Sequence, residues 1–257
     1  MRLSCNVKEE ELWNCTGGTV EAGTLDLIVT LSSDEHFSQF YLIGGTALSL
    51  QLGHRKSIDI DFFSSESFES ESLAHHLYVE YRPEIVGILK NGVFGFINGV
   101  KVDIMSHQYP WLHPANQEEG IRMASLDDIA AMKLSAIVGN GSRQKDFLDM
   151  YILLEHRTLN QMAEMYERKY GTMNAQTAKN ALIYFNDIKF ESIELINRPI
   201  RWGHVASRLN MAYVHPNKLF PSEIDRRNSH DLLMEMREWY GASERSRNRS
   251  RGYGYSR

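Results

Sequence analysis

Long hydrophobic runs are missing from this chain of 257 residues, and no window approaches the ~20 consecutive apolar residues that a membrane-spanning helix requires. The N-terminus, MRLSCNVKEEELWNC, lacks the apolar core of a secretory leader. Cysteine is scarce. Cys5 and Cys15 match no metal-ligand spacing and read as reduced thiols of a cytoplasmic protein. A surplus of positive charge is also absent: 28 Lys and Arg against 33 Asp and Glu leave a net charge of -5. Any contact with nucleic acid therefore has to come from a local patch, not a global field. There is no internal repeat. What remains, 42% hydrophobic and 24% charged, is the composition of an ordinary globular protein long enough for one large domain or two modest ones.

The informative stretch is FYLIGGTALSLQLGHRKSIDIDFFS, from Phe40 to Ser64. An apolar run, Phe40 to Ile43, stops at Gly44-Gly45-Thr46 and passes into Ala47-Leu48-Ser49-Leu50-Gln51-Leu52. That order predicts a buried strand, a tight turn and a helix whose first amides point outward. Such a helix start suits a phosphate, because free N–H groups and the helix dipole both favour an anion. Side chains at the two glycines would hold a phosphate away from the backbone. The second strand, Ile58-Asp59-Ile60-Asp61-Phe62, puts Ile58, Ile60 and Phe62 on one face and both aspartates on the other. Neighbouring carboxylates that repel and lose hydration draw a proton unless a cation sits between them. Mg²⁺ (or Mn²⁺) is the simplest resident, since it takes one or two carboxylates together with substrate phosphate oxygens. Either half alone is commonplace. A phosphate turn followed closely by a metal-ready strand reads as a nucleotide site.

Further along, Ser64 to Tyr81 predicts a helix, and Glu84–Leu89, Val93–Ile97 and Val100–Met105 predict strands, with Asn98-Gly99 as a two-residue hairpin turn. Asp103 falls on the polar face of the last strand beside Lys101. A third carboxylate on a neighbouring strand would complete a site in which ions about 3.5–4 Å apart activate a nucleophile and clamp the leaving oxygens. The segment YPWLHPANQEE, Tyr109 to Glu119, reads as a loop and subdomain boundary. After it the period changes to that of helices. One starts at Ser125 with Asp128 three residues on, and the next starts near Arg143 and carries Lys145, Asp146 and Asp149. Amphipathic segments follow at Leu159–Tyr170, Ala175–Phe185, Trp202–Tyr213 and Ser229–Tyr240. The tail, ASERSRNRSRGYGYSR, cannot bury a core and reads as disordered, with Arg and Tyr types that could touch RNA. The expected layout is an α/β (α+β) fold: residues 1–120 form a mixed twisted sheet flanked by helices, 121–241 a helical domain that completes the site, and 242–257 a basic tail.

Two stretches, GGTALSLQLGHRKSIDIDFF and AAMKLSAIVGNGSRQKDFLDMYILL, together resemble the AbiEii/AbiGii toxin family over about Phe37 to Leu195. These are minimal nucleotidyltransferases of the polymerase-beta-like superfamily, found in bacterial toxin–antitoxin and abortive-infection systems. The resemblance implies Gly44, Gly45 and Thr46 at the triphosphate, with Ser57 shaping the turn before the aspartates. It implies Asp59, Asp61 and Asp103 as metal-holding catalytic carboxylates. Lys133 would neutralise phosphate, Arg55 would assist at the nucleotide or pair with a nearby acid, and His54 would be structural. Lys145 and Asp149 would complete the site from the helical half, Asp149 as a base or as an orienter of Lys145. The superfamily's commoner Gly-Ser turn is Gly45-Thr46 here, which keeps the hydroxyl. Implied partners are a nucleoside triphosphate, an acceptor hydroxyl on RNA such as the 3′ end of tRNA or on a protein, and an antitoxin encoded nearby. Two other classes stay open at this point. They are a glycosyltransferase using Asp-x-Asp for a sugar nucleotide, and a catalytically silent module that inhibits by binding RNA or a partner.

Overall fold

The computed structural model describes residues 18–171, 173–196 and 199–221. The cysteines, the Ser229–Tyr240 helix and the basic tail lie outside these residues. In chain order the elements are α1 (Ala22–Ser33), a 3₁₀ turn (Glu35–Phe37), β1 (Tyr41–Leu42), α2 (Gly44–Leu52), β2 (Ile60–Ser64) and α3 (Ser70–Tyr81). Then come β3 (Glu84–Leu89), β4 (Gly92–Ile97), β5 (Val100–Ser106), β6 (Asn116–Glu118) and β7 (Ile121–Met123). The helical half holds α4 (Leu126–Gly139), α5 (Gln144–Leu153), α6 (Leu159–Tyr170), α7 (Ala175–Leu182) and α8 (Trp202–Val214). The sheet has seven strands in the order β3-β4-β5-β2-β1-β7-β6. β2 pairs parallel with β5 and β1 parallel with β7; the other pairings are antiparallel. The architecture is mixed α/β with a helical second half.

The two faces of the sheet follow from alternation in β2 and β5. Ile60 and Phe62 point with Val102 and Ile104 into a core that also holds Leu27, Ile28, Leu31, Phe37 and Leu77. Phe37 meets Phe62 edge-on at 5.2 Å. Asp61, Phe63, Asp103 and Met105 face the other way, into a cleft roofed by α4, α5 and the end of α6. The Asn98-Gly99 turn forms as the dipeptide predicts, with φ of 52° and 79°. The Ser125 cap also forms: its hydroxyl accepts from the Asp128 amide at 3.0 Å.

Three boundaries differ from expectation. β2 begins at Ile60, and Ile58 is 65% exposed instead of joining the buried face. The backbone just before the strand has other partners, because Ser57 N–H goes to the Thr19 carbonyl and the Thr46 hydroxyl reaches the Asp59 carbonyl. The helix expected from Ser64 starts only at Ser70. The segment read as loop up to Glu119 ends in a hairpin, β6–β7, turning at Glu119 and Gly120 with φ of 50° and 81°. β7 lies beside β1, so the sheet runs past residue 120. β6 is exposed throughout and polar, so no alternating pattern marks it.

A buried charge pair locks the helical half to this region. The Lys169 ammonium on α6 donates to Asp128 at 2.8 Å and to the Pro110 carbonyl at 3.0 Å, and sits 4.5 Å from the centre of the Trp111 ring. Asp128 in turn accepts from the Leu112 and His113 amides. Both charged side chains are wholly buried. Removing one member of such a pair strands the other. Lys169→Met is therefore expected to lower unfolding stability by about 3–5 kcal/mol, checked by urea titration.

Candidate active site

The cleft, an open volume of about 420 Å³, is lined on its sheet side by Gly44, Gly45, Asp59, Asp61, Lys101 and Asp103. Parallel pairing sets Asp61 directly beside Asp103. Asp59 enters from the loop before β2. The Asp61 carboxyl is pushed up to about 6, first by lost hydration and then by the charges of Asp103 and Asp59. Two cations offset the three carboxylates. Lys101 is ion-paired to Asp103, and the Lys145 ammonium lies 3.9 Å from Asp59 Oδ2. The residues therefore fit a hard divalent cation: the donors are carboxylate oxygens, crowded and short of positive charge.

The turn that begins α2 is built around these side chains. Gly44 has φ of +72°, and a Cβ there would stand 2.6 Å from Asp61 Oδ2. A Cβ at Gly45 would stand 2.1 Å from an Arg55 guanidinium nitrogen. Both glycines line the cleft, but the space their missing side chains leave is taken by Asp61 and Arg55, where the sequence suggested an approaching phosphate. Thr46 is buried; its hydroxyl donates to the Asp59 carbonyl and lies 2.9 Å from Ser57 Oγ, whose hydroxyl is then the donor. Thr46 and Ser57 thus brace the Asp59 loop from behind.

Behind the cleft lies a buried cluster centred on Asp149 of α5. Arg55 grips it with two nitrogens, at 2.7 and 2.9 Å, the Lys133 ammonium at 2.6 Å and His54 Nε2 at 2.9 Å. Lys133 also donates to Asp146 at 2.7 Å. Asp149 is desolvated, yet the Arg55 and Lys133 charges hold its carboxyl well below the usual range. Arg55 and Lys133 are buried too, and the same carboxylates keep both cations firmly charged. Burial keeps the His54 imidazole neutral. Two cations and two carboxylates leave the cluster with no net charge.

The helical-half residues are thus sorted differently from the sequence reading. Asp149 has no exposure, is absent from the cleft lining, and pairs with Arg55, Lys133 and His54 instead of Lys145. Lys145 turns to Asp59 instead. Arg55 is committed to Asp149 and the Lys56 carbonyl. Lys133 lines the cleft, but two carboxylates hold its ammonium. Lining residues outside the expected site set include Lys101, Asp146, the half-exposed Arg143, and the rings Phe63, His107 and Tyr170. In the sequence Arg143 marks only a helix start, where a basic residue carries no distinguishing signal.

The far end of the cleft is ring-rich. Phe63, His107 and Tyr170 line it with Met105, Met132 and Ser135. His107 Nε2 is 3.1 Å from the Tyr170 hydroxyl, and burial with the nearby Lys169 charge takes the imidazole down to about 4. A separate polar group, Asp34 with His36 and His76, lies outside the cleft lining. The His36 and His76 rings are stacked at 3.7 Å, and Asp34 also accepts from the Tyr81 hydroxyl.

The sequence model of the family described as "Nucleotidyl transferase AbiEii toxin, Type IV TA system" matches residues 26–215. An uncharacterized protein of Aquifex aeolicus (strain VF5) is 32% identical over 163 residues, 61% of this chain and 79% of that protein. Among solved structures, a candidate nucleotidyltransferase from H. pylori matches at 19% identity with a TM-score of 0.49, over 84% of this chain and 96% of that chain. JHP933 from Helicobacter pylori matches at 19% identity with a TM-score of 0.48, over 91% and 100%.

Two consequences of the geometry can be measured. Asp149→Asn leaves Arg55 and Lys133 buried with half their counter-charge, so a loss of about 3–5 kcal/mol is expected in urea unfolding. The Asp61 shift gives an effect of opposite sign. A carboxyl raised in the folded state contributes stability below its unfolded pKa, and that stability is lost as pH rises through about 6. In EDTA, Asp61→Asn should therefore be more stable than the wild type at pH 8, by on the order of 1–2 kcal/mol given the open cleft. The advantage should vanish below about pH 4, near the ordinary carboxylate value, as thermal melts across pH would show.

Proposed function

Because this chain belongs to the AbiEii family of nucleotidyltransferase toxins, we propose that it transfers a nucleoside monophosphate from a nucleoside triphosphate to an acceptor hydroxyl on RNA, with the 3′ end of tRNA as the first candidate. The nucleotidyltransferase class and the toxin family follow from the match over residues 26–215, and a type IV toxin–antitoxin system implies a cognate antitoxin. Among the described residues no helix is long and apolar enough to cross a membrane, which accords with cytoplasmic work. The observation that carries the reading is the triad Asp59, Asp61 and Asp103, crowded enough to raise Asp61 and set beside the Gly44-Gly45 helix start.

In this reading Asp59, Asp61 and Asp103 would hold Mg²⁺ (or Mn²⁺), which would supply charge neutralisation for the phosphates and the leaving oxygen. The β- and γ-phosphates lie toward the start of α2, where Gly44 and Gly45 line the cleft and the helix dipole favours anions. Lys145, next to Asp59, adds positive charge on the same side. The acceptor oxygen forms a bond to the α-phosphorus as the bond to the bridging oxygen breaks, releasing pyrophosphate. The hydroxyl proton passes to Asp103, the carboxylate next to Asp61. Arg55, Lys133, Asp146 and Asp149 position the turn and α5 from behind. Phosphoryl transfer is chiefly positioning and electrostatics, so a site made of such parts suffices.

The test is label transfer with purified protein, Mg²⁺, each α-labelled nucleoside triphosphate in turn, and unfractionated tRNA or cell extract as acceptor. Label should move onto RNA, and Asp61→Asn should reduce the rate by about a hundred- to a thousandfold, the range set by loss of a transition-state charge contact. Growth arrest that survives Asp61→Asn, with no label moved by the wild type, would overturn the reading.

A further inference from the structure

The cleft has two chemically different ends on either side of the carboxylates. One end carries the helix start with Gly44 and Gly45, and Asp59 with Lys145 close by. The other lies farther along the same face of β2 and β5. Asp61 pairs with Asp103, and the next pair on that face is Phe63 with Met105, roughly 6.6 Å on at two residues' rise. His107 follows, its ring 5.5 Å from that of Phe63 and tilted by 33°. Tyr170, from the last turn of α6, closes this end edge-on to His107 at 5.6 Å, and its hydroxyl is within hydrogen-bonding distance of the imidazole. Tyr109 backs both rings, at 4.8 Å from His107 and 4.7 Å from Tyr170. Met105, Met132 and Ser135 complete the lining, so this end holds no carboxylate.

Resting on the transferase reading above, we propose that this aromatic end is the acceptor subsite, where Phe63 and His107 stack on the terminal nucleobase of the RNA strand that presents the attacking hydroxyl. Direction argues for it. In a phosphoryl transfer the attacking and leaving oxygens stand roughly in line through the phosphorus. With the α-phosphorus at Asp61 and Asp103 and the pyrophosphate at the α2 start, the hydroxyl has to arrive from the Phe63 side. Chemistry agrees. Flat, uncharged rings with polarizable methionine sulfur suit a base face of any sequence. The imidazole stays neutral near pH 7, so it stacks without drawing a phosphate into the aromatic end. Phe63 and His107 are both only partly buried, leaving ring area to cover.

The experiment is steady-state transfer on the full chain with unfractionated tRNA. The tRNA is varied at saturating nucleoside triphosphate, and the triphosphate is then varied at saturating tRNA. His107→Ala and Phe63→Ala should each raise KM for tRNA by roughly ten- to a hundredfold, the range of a lost base stack. KM for the triphosphate should stay within about twofold. The ring-keeping variants His107→Phe and Phe63→Tyr should hold KM for tRNA near the wild-type value, which separates stacking from a fold defect or from loss of the Tyr170 hydrogen bond. A rise in KM for the triphosphate instead would assign the rings to the incoming base and overturn the proposal. No change in either KM, loss in the ring-keeping variants, or label on protein and not RNA would overturn it equally. A wild-type protein that moves no label at all would sink the transferase reading itself, a different result from any of these.

Discussion

The fully buried carboxylate of Asp149 fixes the relation between the two halves of this molecule. It stands on α5 in the helical half, yet two of its ligands, His54 and Arg55, come from the loop that follows α2 in the sheet half. Its third, Lys133, comes from α4. An ion pair in water holds nothing so firmly, since exposed pairs contribute about 0–1 kcal/mol. A buried, multidentate cluster behaves differently because each member left alone would be a desolvated charge. The arrangement penalises separation of α5 from the 54–55 loop more than it rewards their contact. Everything in the cleft inherits that constraint. Arg55 fills the volume beside Gly45, Gly44 gives room to Asp61, and the Asp59 loop is held by Thr46.

The division of labour among the charges follows from burial. Asp149 and Asp61 are both packed carboxylates, but their carboxyls move in opposite directions. Two cations surround Asp149, whereas two further carboxylates crowd Asp61. The first is an interaction already completed within the chain. The second is incomplete without positive charge from outside, and that difference separates a structural anchor from a candidate catalytic position.

Much of this was legible in the sequence. The Gly-Gly-Thr helix start, the strand pair carrying Asp61 and Asp103, the Asn98-Gly99 hairpin and the Ser125 cap each rest on local rules of geometry, and each appears where those rules put it. Pairing of Arg55 with an acid was among the readings, but the common focus of Arg55 and Lys133 on Asp149 was not legible, because a motif shows which residues share a neighbourhood and not which way each turns. Lys145 stands four residues before Asp149 and by helical spacing should pair with it, yet it leans to Asp59. The inward position was already filled by Arg55 and Lys133 from distant parts of the chain. The β6–β7 hairpin escaped for a related reason: an exposed polar edge strand carries no hydrophobic period.

One topological fact places both the carboxylates and the ring-rich end of the cleft. Parallel pairing of β2 with β5 in the register Asp61 to Asp103 brings two carboxylates together, and it must then bring Phe63 beside Met105 on the same face. Acidic and apolar pairs are thus stacked along a single direction, with the helix start at one end and His107 and Tyr170 at the other. A substrate whose charge is concentrated at one end and whose flat apolar surface lies at the other would be aligned by the sheet itself. A shift of one residue in that register would bury the aspartates in the Ile60–Phe62 core and break both functions together. Register is therefore the feature of this fold on which the proposed specificity and chemistry would jointly depend.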